Sequence, residues 1–153
     1  MPQFRTSRSV RHSAAEMFDL VADIEHYPEF VPLCRGLKVR SRTPQAEGVE
    51  IVVADMTVSY KLVYEIFTSR VTLDRPNLQI HVEYIKGPFS KLKNRWNFHP
   101  TGERTSDVEF FIAYEFKSWA LEMLMGAMFD TAFRHFAVAF ERRADKVYGR
   151  KIA

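Results

Sequence analysis

Residues 118–148 read SWALEMLMGAMFDTAFRHFAVAFERRADKVY, a run with no proline and a single glycine, Gly126. Leu121, Leu124, Met125, Met128, Phe129, Ala132, Phe133, Phe136, Ala137 and Phe140 recur three or four apart. That spacing gathers side chains onto one face of an α-helix. Arg134, Glu141, Arg142, Asp145 and Lys146 fall outside the stripe. At a rise of about 1.5 Å per residue the helix would be roughly 45 Å long, well beyond the usual ~11–12 residues. So long an apolar face needs an extended partner to bury it.

The sequence before the helix supplies that partner. Gln3 to Val10 alternates as a first strand. Ser13-Ala14-Ala15-Glu16 has the form of a capping box, and Met17, Phe18, Val21 and Ile24 give the following helix its apolar face. In His26-Tyr27-Pro28-Glu29-Phe30-Val31-Pro32-Leu33-Cys34 the two prolines divide a short helical turn from an extended run. Leu37 and Val39 then alternate with Lys38, Arg40 and Arg42. The runs 49–58 and 60–73 read as a hairpin, although no Gly or Asn marks the turn between them. Leu78, Ile80, Val82 and Tyr84 share a face, Gly87-Pro88 breaks the strand, and Leu92, Asn94, Trp96 and Phe98 share the next. Val108, Phe110, Ile112, Tyr114 and Phe116 form the last strand. Consecutive strands without helical crossovers make an antiparallel sheet with one dry face. The expectation is an α+β helix-grip: a curved antiparallel sheet of about seven strands wrapped around the C-terminal helix, with two short helical pieces after strand 1.

The chain of 153 residues suits a single domain spanning 1–153, with no repeat or linker. Thirteen Phe, six Tyr and two Trp furnish either a filled aromatic core or the walls of a lipid-sized cavity. One cysteine, Cys34, excludes an internal disulfide and a cysteine-based zinc cage, and suits a reducing compartment. No apolar run approaches the ~20 residues that cross a bilayer, and no signal-peptide stretch follows the N-terminal arginines. A cytoplasmic protein is expected, peripheral at most to a bacterial inner membrane. The net charge of +3 permits contact with anionic lipid, RNA or a ribosome and requires none of them; DNA is not an expected partner.

Catalytic patterns are missing. There is no HExxH, GxSxG, P-loop or GxGxxG, and no cluster with metal-ligand spacing. His12, His26, His81, His99 and His135 are scattered, and nothing near Cys34 lowers a thiol pKa. No enzyme activity, cofactor or metal is expected. Glu65 shares strand parity with Val63, Phe67, Val71 and Leu73. Two placements fit it: a sheet-end position that reaches water, or the concave face, where a partner must offset its desolvation. Asn94 likewise interrupts an apolar face and could hydrogen-bond a carbonyl.

The 26–34 segment resembles the "YxxFVPxC" stretch of the coenzyme Q-binding START-domain family. The resemblance continues in collinear order through Glu65 with Thr68-Ser69, Gly87-Pro88-Phe89 with Leu92, Trp96-Asn97-Phe98 and the ending from Ala139 to Ala144. It places the chain in the START-like, polyketide cyclase/dehydrase-like superfamily and implies a helix-grip fold. It also implies a cavity that binds ubiquinone or a related isoprenoid lipid, without chemistry on the quinone, in support of respiratory electron transfer and ubiquinone synthesis. The same family includes ribosome association toxins that block subunit joining, so an alternative partner is the ribosome. Its motivation is the basic exterior of Lys38, Arg40, Arg42, Lys91, Lys93 and Arg95 with Arg142, Arg143, Lys146, Arg150 and Lys151. Leu62-Val63-Tyr64 departs from the Gly-containing segment common in the family, which bears on cavity width. On the carrier reading the tail lies between Met125, Met128, Phe129, Ala132, Phe133 and Phe136 of the helix and Val63, Phe67, Val82, Trp96, Phe110 and Ile112 of the sheet. Phe30, Leu33, Glu65 and Asn94 complete the expected lining.

Overall fold

The computed structural model describes residues 3–149. Strand β1 (Gln3–Val10) leads into α1 (Ala14–Ala22) and a short 3₁₀ helix (Ile24–Glu29). Six strands follow: β2 (Cys34–Ala46), β3 (Val49–Tyr60), β4 (Val63–Asp74), β5 (Gln79–Lys86), β6 (Phe89–Pro100) and β7 (Ser106–Phe116). Helix α2 (Trp119–Tyr148) closes the chain. The strands form one seven-stranded sheet in the order β1-β7-β6-β5-β4-β3-β2, antiparallel at every pairing. The helix-grip expected from the sequence is the fold observed.

Local chemistry explains the boundaries. The Ser13 hydroxyl accepts from Glu16 N–H and the Glu16 carboxylate accepts from Ser13 N–H, closing the capping box that starts α1. Ser118 caps α2 by accepting from Leu121 N–H at 3.2 Å. Gly87 sits at φ +153°, where an added Cβ would lie 2.9 Å from the Tyr84 hydroxyl and 3.1 Å from Phe67. Glycine is required there for both conformation and space. The β3–β4 turn falls at Lys61-Leu62 rather than near residue 59, with Lys61 in the left-handed region at φ +53°.

One part of the helical stripe lies elsewhere than the periodicity places it. Met125, Phe129, Ala132, Phe133, Ala137 and Phe140 are buried, but Leu124 is 63% exposed. Leu121 and Met125 of the same turns pack into the core, and a Cβ at Gly126 would touch Phe116, so Leu124 lies on a flank of the stripe that the core does not cover. Periodicity reports which residues share a face and is silent on where the partner surface stops.

The far end of α2 is pinned to the β1–α1 corner. Tyr148 Oη donates to the Glu16 carbonyl at 3.0 Å, and Arg8 pairs with Glu141. His12 is wholly buried, with Nε2 2.7 Å from Asp145 Oδ1 and no partner at Nδ1 among the described residues. Replacing Asp145 with Ala strands the second ring nitrogen as well. The expected destabilisation is about 1–3 kcal/mol, read as a lower urea midpoint. A midpoint equal to the parent's refutes that pinning role.

Candidate functional site

Between the concave face of the sheet and α2 lie two chambers. The one nearer the 3₁₀ helix measures about 110 Å³ and is lined by Ile24, Tyr27, Val31, Leu37, Ala54, Val71, Ile80, Trp96, Phe110 and Phe140. The one nearer the β3–β4 hairpin measures about 100 Å³ and is lined by Pro32, Leu33, Val58, Phe67, Leu92, Ile112, Phe129, Ala132 and Phe133. Met56, Ser69, Val82, Asn94 and Phe136 line both and so form the waist between them.

Strand alternation puts these side chains together. Val52, Ala54, Met56 and Val58 share one parity on β3, and register pairs Met56 with Phe67 and Val71 with Val82. Val82 pairs in turn with Asn94, and Asn94 with Ile112. A row across four strands therefore faces Phe133 and Phe136 of α2.

The walls are almost wholly apolar. Ser69 and Asn94 are the polar side chains of the waist, and Asn94 Nδ2 donates to the Phe111 carbonyl at 2.9 Å. Tyr27 is the one titratable group lining either chamber. Burial raises its pKa well above the ordinary phenol value, and its hydroxyl donates to the Val21 carbonyl. The lining thus offers neutral hydrogen-bonding groups and a large dispersion surface, and no carboxylate, imidazole or amine to move a proton.

Eleven of the residues expected from the sequence line a chamber: Leu33, Phe67, Val82, Asn94, Trp96, Phe110, Ile112, Phe129, Ala132, Phe133 and Phe136. Five expected there line neither. Phe30 braces Phe140 from outside, with ring centroids 5.0 Å apart and the Arg143 guanidinium 5.0 Å from the Phe30 ring centre. Met125 is fully buried in the solid core, and Met128 packs against that core part-exposed. Val63 and Glu65 have the concave parity but sit near the hairpin tip, beyond the chambers. Glu65 is half-buried there, close enough to Tyr84 for its charge to help raise that phenol's pKa, after the larger effect of burial. Leu62 and Tyr64 point outward, so the bulky 62–64 segment does not narrow the cavity.

Sequence reasoning missed Met56, Val58 and Ser69, and most of the chamber nearer the 3₁₀ helix, including Ile24, Tyr27, Val31, Leu37, Ala54 and Phe140. The 49–58 run is apolar on both parities near its start, so alternation alone left its inward face unassigned. Cys34 is buried, and its desolvated thiol is pushed up to about 11. A thiol so raised stays protonated at neutral pH. A disulfide reagent at pH 7.5 should leave Cys34 unreacted until denaturant is added, and stoichiometric labelling of the native protein would contradict this placement.

Among the described residues no helix is long and apolar enough to cross a membrane, and no group of three or more His, Cys, Asp or Glu could hold a metal ion. Residues 10–141 match the family described as polyketide cyclase / dehydrase and lipid transport. The chain is 36% identical over 149 residues to the ribosome association toxin RatA of Vibrio cholerae, covering 97% of this chain and 99% of that protein. It is 31% identical to the mitochondrial coenzyme Q-binding protein COQ10 homolog B of Xenopus laevis, covering 97% of this chain and 60% of that one. The solution structure of the 18 kDa protein CC1736 from Caulobacter crescentus superposes with a TM-score of 0.77 at 31% identity, covering 97% and 99% of the two chains. With a family match over most of its length and relatives above 30% identity across nearly all of it, this chain belongs to the START-like polyketide cyclase/dehydrase and lipid transport family.

Proposed function

We propose that the protein is a non-enzymatic carrier of ubiquinone or a related isoprenoid lipid, which it holds between α2 and the sheet. The observation that carries this reading is the two-chamber apolar cavity with Ser69 and Asn94 at its waist. The match to a coenzyme Q-binding protein supports it. A dry cavity of about 150 Å³ holds benzene, so neither chamber alone accommodates a substituted quinone ring. Met56 and Phe136 stand at the waist, and the unbranched thioether of Met56 adapts at little cost. Their displacement joins the chambers into one slot, with the ring at the polar waist and the tail along Phe129, Ala132 and Phe133. Apolar burial contributes about 25 cal/mol per Å².

Organic extraction of freshly purified protein, followed by mass spectrometry and a titration with short-chain ubiquinone, tests this. A co-purifying isoprenoid and saturable uptake are expected; the absence of both would falsify the reading. Asn94→Leu separates head from tail recognition. It should weaken quinone binding roughly tenfold, the worth of one hydrogen bond, while a hydrocarbon probe binds as before. Equal loss for both probes would deny Asn94 a part in recognising the head.

A second reading, binding to the ribosome, is favoured by the match to RatA and by the convex face. Lys93 and Arg95 are exposed there, and the Arg5 and Arg95 guanidiniums lie 4.7 and 4.9 Å from the Phe111 ring centre. Much of the remaining basic exterior is neutralised: Arg40 pairs with Asp55, Arg42 with Glu25 and Glu50, and Arg143 with Glu29. Arg150 and Lys151 lie outside the described residues. Salt-sensitive co-migration with a ribosomal subunit in gradient sedimentation is the outcome this reading requires.

A further inference from the structure

We propose that the hairpin end of the molecule is a docking surface for an anionic lipid bilayer. Three junctions meet at this end. The β3–β4 turn lies beside the start of β2, since Cys34 pairs with Val58. The β5–β6 turn touches the start of α2 through a hydrogen bond from Lys117 N–H to the Pro88 carbonyl, 2.9 Å. Phe67 of β4 meets Phe129 of α2 with centroids 5.5 Å apart.

Large apolar side chains stand in solvent at these junctions. Leu62 is 99% exposed, Tyr64 65%, Ile66 45%, Trp119 74%, Met123 66% and Leu124 63%. Folding does not account for them. A two-residue hairpin turn favours Gly or Asn, and here it carries Lys61 at positive φ followed by a bare leucine. Trp119 and Met123 are one helical turn apart on the solvent side of the first turns of α2. Leucine, methionine and interfacial tryptophan and tyrosine are the side chains that enter the boundary between headgroups and acyl chains.

Charge selects the occupant. Exposed Arg35, Lys61, Lys86 and Lys117 flank the tip, opposed by Glu65 and Glu122. Lys91 and Glu115 sit opposite each other in the β6–β7 register and cancel. The cations thus outnumber the acids around an apolar centre, the arrangement that favours anionic headgroups. A second copy of this chain would set the same cations against one another. The surface lies at the end of the hairpin-side chamber, so, resting on the carrier reading, it places that chamber next to the membrane from which a lipid is drawn.

Vesicle co-sedimentation tests this, using phosphatidylcholine with and without phosphatidylglycerol. The intact protein should bind the anionic vesicles, lose binding as salt rises, and show a blue-shifted tryptophan emission. Trp96 is 4% exposed, so the shift reports Trp119. Leu62→Ser with Met123→Ser should reduce partitioning by about tenfold or more with the circular dichroism unchanged. Failure of the intact protein to bind anionic vesicles overturns the proposal. So does undiminished binding by the double variant, or a dimer that these substitutions dissociate with no vesicle binding. Short-chain ubiquinone uptake, measured on the same samples without vesicles, separates the two readings. Uptake without vesicle binding removes the docking surface and leaves the carrier; vesicle binding without uptake does the reverse.

Discussion

Phe89→Ala should destabilise the fold by about 3–5 kcal/mol, the largest effect expected of any single truncation here. Phe89 is 1% exposed and lines neither chamber. Its ring lies 4.8 Å from Phe116, 5.4 Å from Phe67, 5.6 Å from Tyr114 and Phe129 and 5.7 Å from Tyr84. Five rings from three strands and α2 thus converge on one side chain, and truncation opens a void that none of them can fill without leaving another partner. Phe133→Ala is the contrasting case. Phe133 touches Tyr114, Phe129 and Phe136 but also faces the hairpin-side chamber. Its removal enlarges an existing space, and the loss should fall near or below the low end of the ~2–5 kcal/mol range for packed cores. Urea unfolding of both variants with unchanged m-values gives the comparison. Equal losses would mean that the chamber walls behave as solid core.

Ala132→Trp should weaken quinone uptake severely while the protein remains folded. Ala132 is 5% exposed on the α2 face that looks into the hairpin-side chamber. An indole is larger than the benzene that a cavity of about 150 Å³ accepts, and the chamber measures about 100 Å³, so the new ring fills it and presses on the waist. Overpacking of this kind costs about 1–3 kcal/mol, within the margin of most domains. Affinity should fall by about a hundredfold, since the ligand must displace a side chain anchored to the helix. Uptake at the parent's affinity by a folded variant would move the binding site out of this cavity.

The same pair of residues marks how far the sequence could be read. Ala132 and Phe133 stand in a 3.6-residue period that requires no knowledge of the partner surface, and the structure places both on the buried face of α2. Most of the strands, the antiparallel sense of consecutive ones and the capping box at Ser13 were equally legible, because each depends on nearby sequence; the pairing of β1 with β7 was not. Glu65 was legible only halfway. Parity put it on the concave side, but its distance along β4 from the chambers depends on where the β3–β4 turn falls, and that turn carries no strong signal.

What the sequence by itself determined was therefore the fold and the helix face that a ligand would meet. Short-range periodicity encodes both, since each side chain's direction follows from its position along one helix or strand. Tertiary structure alone decided three further matters. The cavity is pinched into two chambers by Met56, Ser69, Val82, Asn94 and Phe136, which come from five different elements. His12 is buried against Asp145, 133 residues along the chain. Leu124 stands in solvent despite its place in the apolar stripe, because the core covers α2 only along the line of Leu121 and Met125 and leaves that flank of the helix bare. Each depends on which surfaces meet and where they end, and that is set by the packing of distant segments rather than by any local pattern.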